Sequence, residues 1–116
     1  MIACAPVNAS SENQSTIDPR WGRAHWVALA EVVAGDIQSW REIEVSWDLL
    51  HDEGTDGSHH ARIAKFLKAN VVGLVVVDHM GDGMVRMLGT MNIPVSYNAS
   101  GDARAAIRNA ISLTTL

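Results

Sequence analysis

The stretch VVGLVVVDHMGDGMVRML, residues 71–88, decides how the chain folds. Its first seven residues are an uninterrupted apolar run rich in β-branched side chains, the signature of a parallel strand covered on both faces. DHMGDG, residues 78–83, then supplies a turn. Met84, Met87, Leu88 and Met91 follow at i, i+3, i+4 and i+7, the spacing of one buried helical face, with Asp82 as the expected cap. A buried strand that turns directly into a helix is half of an α/β unit, and the rest of the chain has to complete the sheet.

Working outward, Asp56 is placed to cap a helix over residues 57–70, with Ile63, Ala64, Phe66, Leu67 and Val71 on its inner stripe. Downstream, residues 93–97 form a last strand that Pro94 confines to an edge, because proline donates nothing to a ladder. Asp102 caps a final helix whose buried stripe is Ala103, Ala106, Ile107, Ala110 and Ile111. Upstream, residues 1–7 make a first strand that ends in the polar segment NASSENQST, expected to be a mobile loop. Residues 24–33 are nearly all apolar and suit a central strand. After the turn at Ala34, Gly35 and Asp36, the alternation of Glu42, Glu44, Ser46 and Asp48 with Ile43, Val45 and Trp47 predicts a half-exposed third strand paired to the second. The expected architecture is one α/β domain over residues 1–116: a mixed five-stranded sheet with three helices, in the order βββαβαβα. Ligands of such sheets bind beyond the carboxyl ends of the parallel strands, which directs attention to the loops at 7–23, 78–83 and 98–101.

Charge narrows the function. The chain of 116 residues has a formal net charge of −4, from nine Lys and Arg against thirteen Asp and Glu. Asp48, Asp52, Glu53 and Asp56 lie in DLLHDEGTDGSHH, residues 48–60, which holds no basic residue, so this segment equals the whole excess. This balance argues against nucleic acid as a partner, since phosphates call for a surplus of cations. The single Cys4 excludes an internal disulfide and a cysteine-only metal site. It reads as a buried, inert thiol. MIACAPV has no basic n-region, and no apolar run approaches the roughly 20 residues that cross a bilayer. A cytoplasmic protein without membrane contact is the expectation.

Several groups could carry chemistry, each beside a plainer structural role. Gly81 and Gly83 open a helix whose free N–H groups suit an anion, though Asp78 and Asp82 oppose one, and both glycines equally suit a tight turn. Ser100 and Gly101 in ASGD repeat that layout. Arg20 and Arg23 flank Gly22, with His25 at the entrance to the second strand, and could hold an anion or simply line a surface loop. His51, His59 and His60 in the acidic segment, with His79, are candidate metal ligands. Neighbouring His59 and His60 diverge by about 100° on a helix, so both cannot readily serve one ion. The methionine series is explained by core packing, leaving only Met80 as a soft-ligand candidate.

Three blocks, DPRWGRAHWVALAEV, HDEGTDGSHHARIAKFLKANVVGLVVVDHMGDGMVRML and NIPVSYNASGDARAAI, together resemble the dinitrogenase iron-molybdenum cofactor biosynthesis domain, the NifX, NafY and NifB C-terminal group. The most specific parts are Gly22-Arg23-Ala24, the His and Gly segment before the first helix, His79-Met80-Gly81, and Ala99-Ser100-Gly101. The resemblance implies a ribonuclease H-like fold and non-catalytic holding of metal-sulfur clusters, of the iron-molybdenum precursor or molybdenum-copper sulfide type, received from a donor protein and passed to an acceptor. It implies that Gly22, Arg23, His59 or His60, His79, Gly81 and Gly83 border the cluster.

The leading expectation is a small carrier that binds an anionic cluster through Arg20, Gly22, Arg23, His25, Met80, Gly81, Gly83, Ser100 and Gly101, with His51, His59, His60 and His79 as metal ligands. Two other classes stand beside it. A metal-free binding or regulatory module would dock through the edge strand or through Trp40 and Trp47, taken as exposed. A divalent-metal-dependent hydrolase would need clustered carboxylates on the sheet.

Overall fold

The computed structural model describes residues 1–8 and 14–114. Strand β1, Ile2–Val7, is the middle of a five-stranded sheet in the order β3-β2-β1-β4-β5. On one side it pairs antiparallel with β2, Trp26–Val33, which pairs antiparallel with β3, Asp36–Glu44. On the other it runs parallel to β4, Val72–Val76, which is parallel to the two-residue edge strand β5, Val95–Ser96. The mixed sheet therefore has the hairpin and the parallel strands that the sequence predicts, with Pro94 just outside the edge strand.

Alternating residues of these strands face two apolar layers. Ala3, Ala5 and Val7 of β1, with Ala28 and Ala30 of β2 and Leu74 and Val76 of β4, meet Ala103, Ala106, Ile107, Ala110 and Ile111 of helix α4, Ala103–Thr114. Small residues on both sides let this helix lie close, and the expected stripe is the one that is buried. Asp102 accepts a hydrogen bond from the Ala105 N–H at 2.9 Å, as a cap should. On the opposite face Cys4, Val27, Leu29, Val75 and Val77 meet Ile63 and Leu67 of α2, Asp56–Ala69, and Met84 and Leu88 of α3, Asp82–Thr90. Fully burying a side chain such as Leu67 or Leu88 contributes about 1.5–3 kcal/mol.

The described residues contain four α-helices rather than three, and a one-turn 3-10 helix at Trp21–Arg23. The additional helix α1, Trp47–Leu50, replaces the far end of the expected third strand. Ser46 takes a left-handed conformation, φ 54°, and the Val45 and Ser46 N–H groups both donate to the His25 carbonyl, at 2.9 and 3.0 Å. The backbone thus turns in at Ser46, and Trp47 becomes 2% exposed, edge-on to Trp21 and Phe66. Trp47 is consequently no exposed docking residue. Trp40 is half-buried, donates to Glu42 and lies under the Arg104 guanidinium.

Two caps and one strand end also differ from expectation. Thr55, not Asp56, caps α2: its hydroxyl accepts from the Ser58 N–H while the Ser58 hydroxyl accepts from the Thr55 N–H, a reciprocal capping box. Gly81, not Asp82, occupies the N-cap of α3. Val71 is not in the sheet but 78% exposed at φ 54°, the left-handed residue that ends α2. The loop expected to be mobile lies partly outside the described residues, at 9–13. Its base is closed by Asn8, whose backbone and side-chain N–H groups both donate to Thr16, each at 2.9 Å.

Candidate functional site

A cavity of about 340 Å³ opens where β1 and β4 end, on the sheet face that carries α2 and α3. Pro19, Arg20, Trp21, Gly22 and Arg23 form one wall, in the connection from β1 to β2. His79, Met80, Gly81 and Met84 form a second, in the turn after β4 and the first turn of α3. His59 and His60 from α2, with His51 from the end of α1, close the third. The acidic segment therefore contributes its histidines to the cavity, and none of its carboxylates lines it.

The first wall is built on a buried carboxylate. Asp18 is 2% exposed; its Oδ1 accepts the Arg20 backbone N–H at 2.9 Å and Nε at 3.1 Å, and its Oδ2 accepts Nη2 at 3.1 Å. Arg20 is thus held in a two-pronged ion pair that raises its already high pKa. Arg23 is exposed and forms no ion pair among the described residues. Trp21 is 2% exposed, and its indole N–H is buried without a hydrogen-bond partner among the described residues.

The neighbouring histidines differ sharply. His59 is 3% exposed, with Nε2 2.7 Å from the Gly22 carbonyl oxygen and Nδ1 2.7 Å from Arg62 Nη1. Burial holds its pKa below the usual histidine value; the bond to Gly22 opposes that shift, and the charge of Arg62 adds to it. His60 is partly buried, and its ring makes no hydrogen bond to a described residue. It rests against α3, where a Cβ built on Gly83 would come within 2.8 Å of His60 Cε1. Gly83 itself does not line the cavity but leaves room for the ring that does. His51 packs edge-on to His59, ring centroids 5.1 Å apart, and its Nδ1 lies 3.1 Å from Asp52. His79 is the most open, 73% exposed.

Three other candidates lie elsewhere. His25 is held between two carboxylates, Nδ1 2.8 Å from Asp48 and Nε2 2.6 Å from Glu44, and does not reach the cavity. Those partners, Glu44 foremost, raise its pKa above the ordinary histidine range. Ser100 faces a second cavity of about 410 Å³, lined with Tyr97, Asn98 and Asn109 between the end of β5 and α4. Gly101 lines neither cavity; its carbonyl accepts the Ile17 N–H at 2.9 Å. The two loops of similar layout are separated because α3 and α4 cover opposite faces of the sheet. Three wall residues, Pro19, Trp21 and Met84, carry no functional signal in the sequence beyond their positions beside Arg20, Gly22 and Gly83.

Solved structures with this fold exist at low sequence identity. PH0822 superposes with a TM-score of 0.76 over 97% of this chain and 91% of its own, at 16% identity. The apo form of the orange protein from Desulfovibrio gigas gives 0.74 over 96% and 87%, at 14% identity. The NMR structure of a NifB-like protein from Thermotoga, assigned to the DUF35 family, gives 0.69 over 97% and 87%, at 17% identity. At such identities the likeness shows a shared fold. No curated protein sequence matches the chain. The sequence profile of the dinitrogenase iron-molybdenum cofactor domain, however, matches residues 1–113, nearly the entire length, and the chain belongs to that family.

Proposed function

We propose that the chain acts as a single, non-catalytic carrier domain whose cavity holds an anionic metal-sulfur cluster of iron-molybdenum precursor or molybdenum-copper type. One observation carries this reading: in a chain of net charge −4, the cavity wall presents two arginines, imidazoles and two thioethers, and no Asp or Glu. The nearby carboxylates are turned to other work. Asp48 holds His25, and Asp52, with its side chain 80% exposed, pairs with His51.

The residues fit such a cargo. The Trp21 indole N–H, buried beside the cavity without a hydrogen-bond partner among the described residues, is a donor that costs about 1–3 kcal/mol to leave unsatisfied. Arg23, in no ion pair among the described residues, offers a cation, and His60, His79 and Met80 offer nitrogen and sulfur ligands. Among the described residues no group of three or more His, Cys, Asp and Glu is arranged to hold a lone metal ion, so this donor set suits a preassembled cluster. The strand order supports the ribonuclease H-like assignment, and family membership supports cluster-building proteins as donor and acceptor. A reducing cytoplasm suits sulfide-bearing cargo. A two-metal hydrolase gains no support from a wall without carboxylates.

The test uses untagged protein, handled anaerobically and titrated with tetrathiomolybdate, a dianionic molybdenum-sulfide probe. Stoichiometric molybdenum and a sulfide-to-metal absorption band should survive gel filtration, and R23Q with H60Q should abolish both. If no molybdenum is retained, or the double variant retains as much as the parent, the carrier reading is wrong and the metal-free binding module takes its place.

A further inference from the structure

The adjacent histidines of α2 divide the work, and the division follows from hydrogen-bond chemistry. Arg62 Nη1 is only ever a donor, so His59 Nδ1, 2.7 Å away, must accept. The ring proton then sits on Nε2, which donates to the Gly22 carbonyl at 2.7 Å. Both nitrogens of His59 are therefore committed, and neither has a lone pair left for a metal. Arg62 also reaches the Leu50 carbonyl at 3.4 Å, at the end of α1. Through this pair one buried ring ties α2 to the Trp21–Arg23 turn, and its partner ties α2 to α1. These are the elements from which Arg20, Arg23 and His51 enter the cavity wall.

We propose that His59 is a positioning residue, not a ligand: by holding the Gly22 carbonyl it fixes the turn that carries Arg20 and Arg23, and it leaves His60 as the imidazole of the pair that meets the cargo. This rests on the carrier reading of the cavity. The brace acts by preorganisation, since a loop already ordered loses less freedom when cargo binds. A Cβ at Gly22 would meet no atom within 4 Å, so the brace acts through the backbone carbonyl and does not depend on glycine at this position.

The test separates holding from ligating. Gln at position 59 can donate from Nε2 as the imidazole does, but it is a poor ligand; Leu removes both functions at similar size. Tetrathiomolybdate affinity should fall about tenfold or more in H59L, the usual cost of losing an orienting partner, and return to within about threefold of the parent in H59Q. H60Q, which alters the cargo-facing ring, should lose affinity without rescue. Equal losses in H59L and H59Q overturn the proposal, as does an H59L variant that binds like the parent. Nitrogen-15 spectra of the parent provide a second readout that does not depend on H59L folding. On loading with the probe, His59 should keep its proton on Nε2 and an unmetallated Nδ1, while His60 resonances move; a metal-shifted His59 nitrogen overturns the proposal. If no cavity residue shifts at all, the carrier reading fails first, and the two failures are thereby told apart.

Discussion

Substituting Gly83 by Ala probes the cavity from behind, through a residue that does not line it. Gly83 lies in the first turn of α3, where alanine is favoured over glycine by about 0.5–1 kcal/mol. Against this stands the contact: the new Cβ would sit 2.8 Å from His60 Cε1, where carbon atoms at rest prefer about 3.5–4.0 Å. The ring is the mobile end of a side chain, so it retreats by about 0.7 Å or more, at a rotamer cost of about 0.5–1.5 kcal/mol. The two terms nearly cancel. Urea denaturation should place G83A within about 1 kcal/mol of the parent, while tetrathiomolybdate affinity falls about tenfold, equivalent to 1.4 kcal/mol. Gly89, in the same helix with nothing within 4 Å of its would-be Cβ, is the control: G89A should gain the propensity term alone and bind normally. An unchanged affinity in G83A would show that His60 does not meet the cargo. A loss of more than about 2 kcal/mol in stability would show that the ring cannot retreat and that the reasoning about its freedom is wrong.

Two further predictions concern the frame around the site. Val71→Gly should stabilise the chain by about 0.5–1 kcal/mol: a left-handed residue with a Cβ costs about 1–2 kcal/mol, glycine's unfolded-state entropy offsets part of that, and a side chain 78% exposed surrenders little packing. A melting temperature that falls in V71G refutes this. His25 should make stability depend on pH. Glu44 and Asp48 favour its protonated form, so its contribution is fully present below the unfolded histidine pKa of about 6.5 and is lost as pH rises through the higher folded value. H25Q should flatten that part of the melting-temperature profile between neutral and alkaline pH, and a slope that persists unchanged assigns it to another group.

What the sequence made legible is what depends on near neighbours. The run over residues 72–76 and the stripes Met84 with Leu88 and Ala103 with Ile107 read correctly because a period-two or period-3.6 pattern is local. The helix at Trp47 escaped because its cause is distant: the chain turns in at Ser46 to bond the His25 carbonyl, and no feature within residues 42–48 announces that. The candidate site divides in the same way. That His59 and His60 must diverge follows from helix geometry, but which one faces inward was set by Gly22, 37 residues away in sequence. Ser100 and Gly101 were grouped with the cavity on loop layout, and only the placement of α4 on the opposite face separates them from it.

Cys4 lies in the middle strand, wholly buried, and burial pushes its thiol far above the usual cysteine pKa. The chain thus has no thiolate to bring to its surface. On the carrier reading proposed above, cargo in the cavity would be held by charge, hydrogen bonds, imidazole and thioether, all weaker partners for soft metals than thiolate sulfur. A carrier so built would pass its cargo downhill to an acceptor that offers cysteine, with no strong bond to break on the giving side. A central strand that walls off its one thiol would therefore make such a carrier easy to unload.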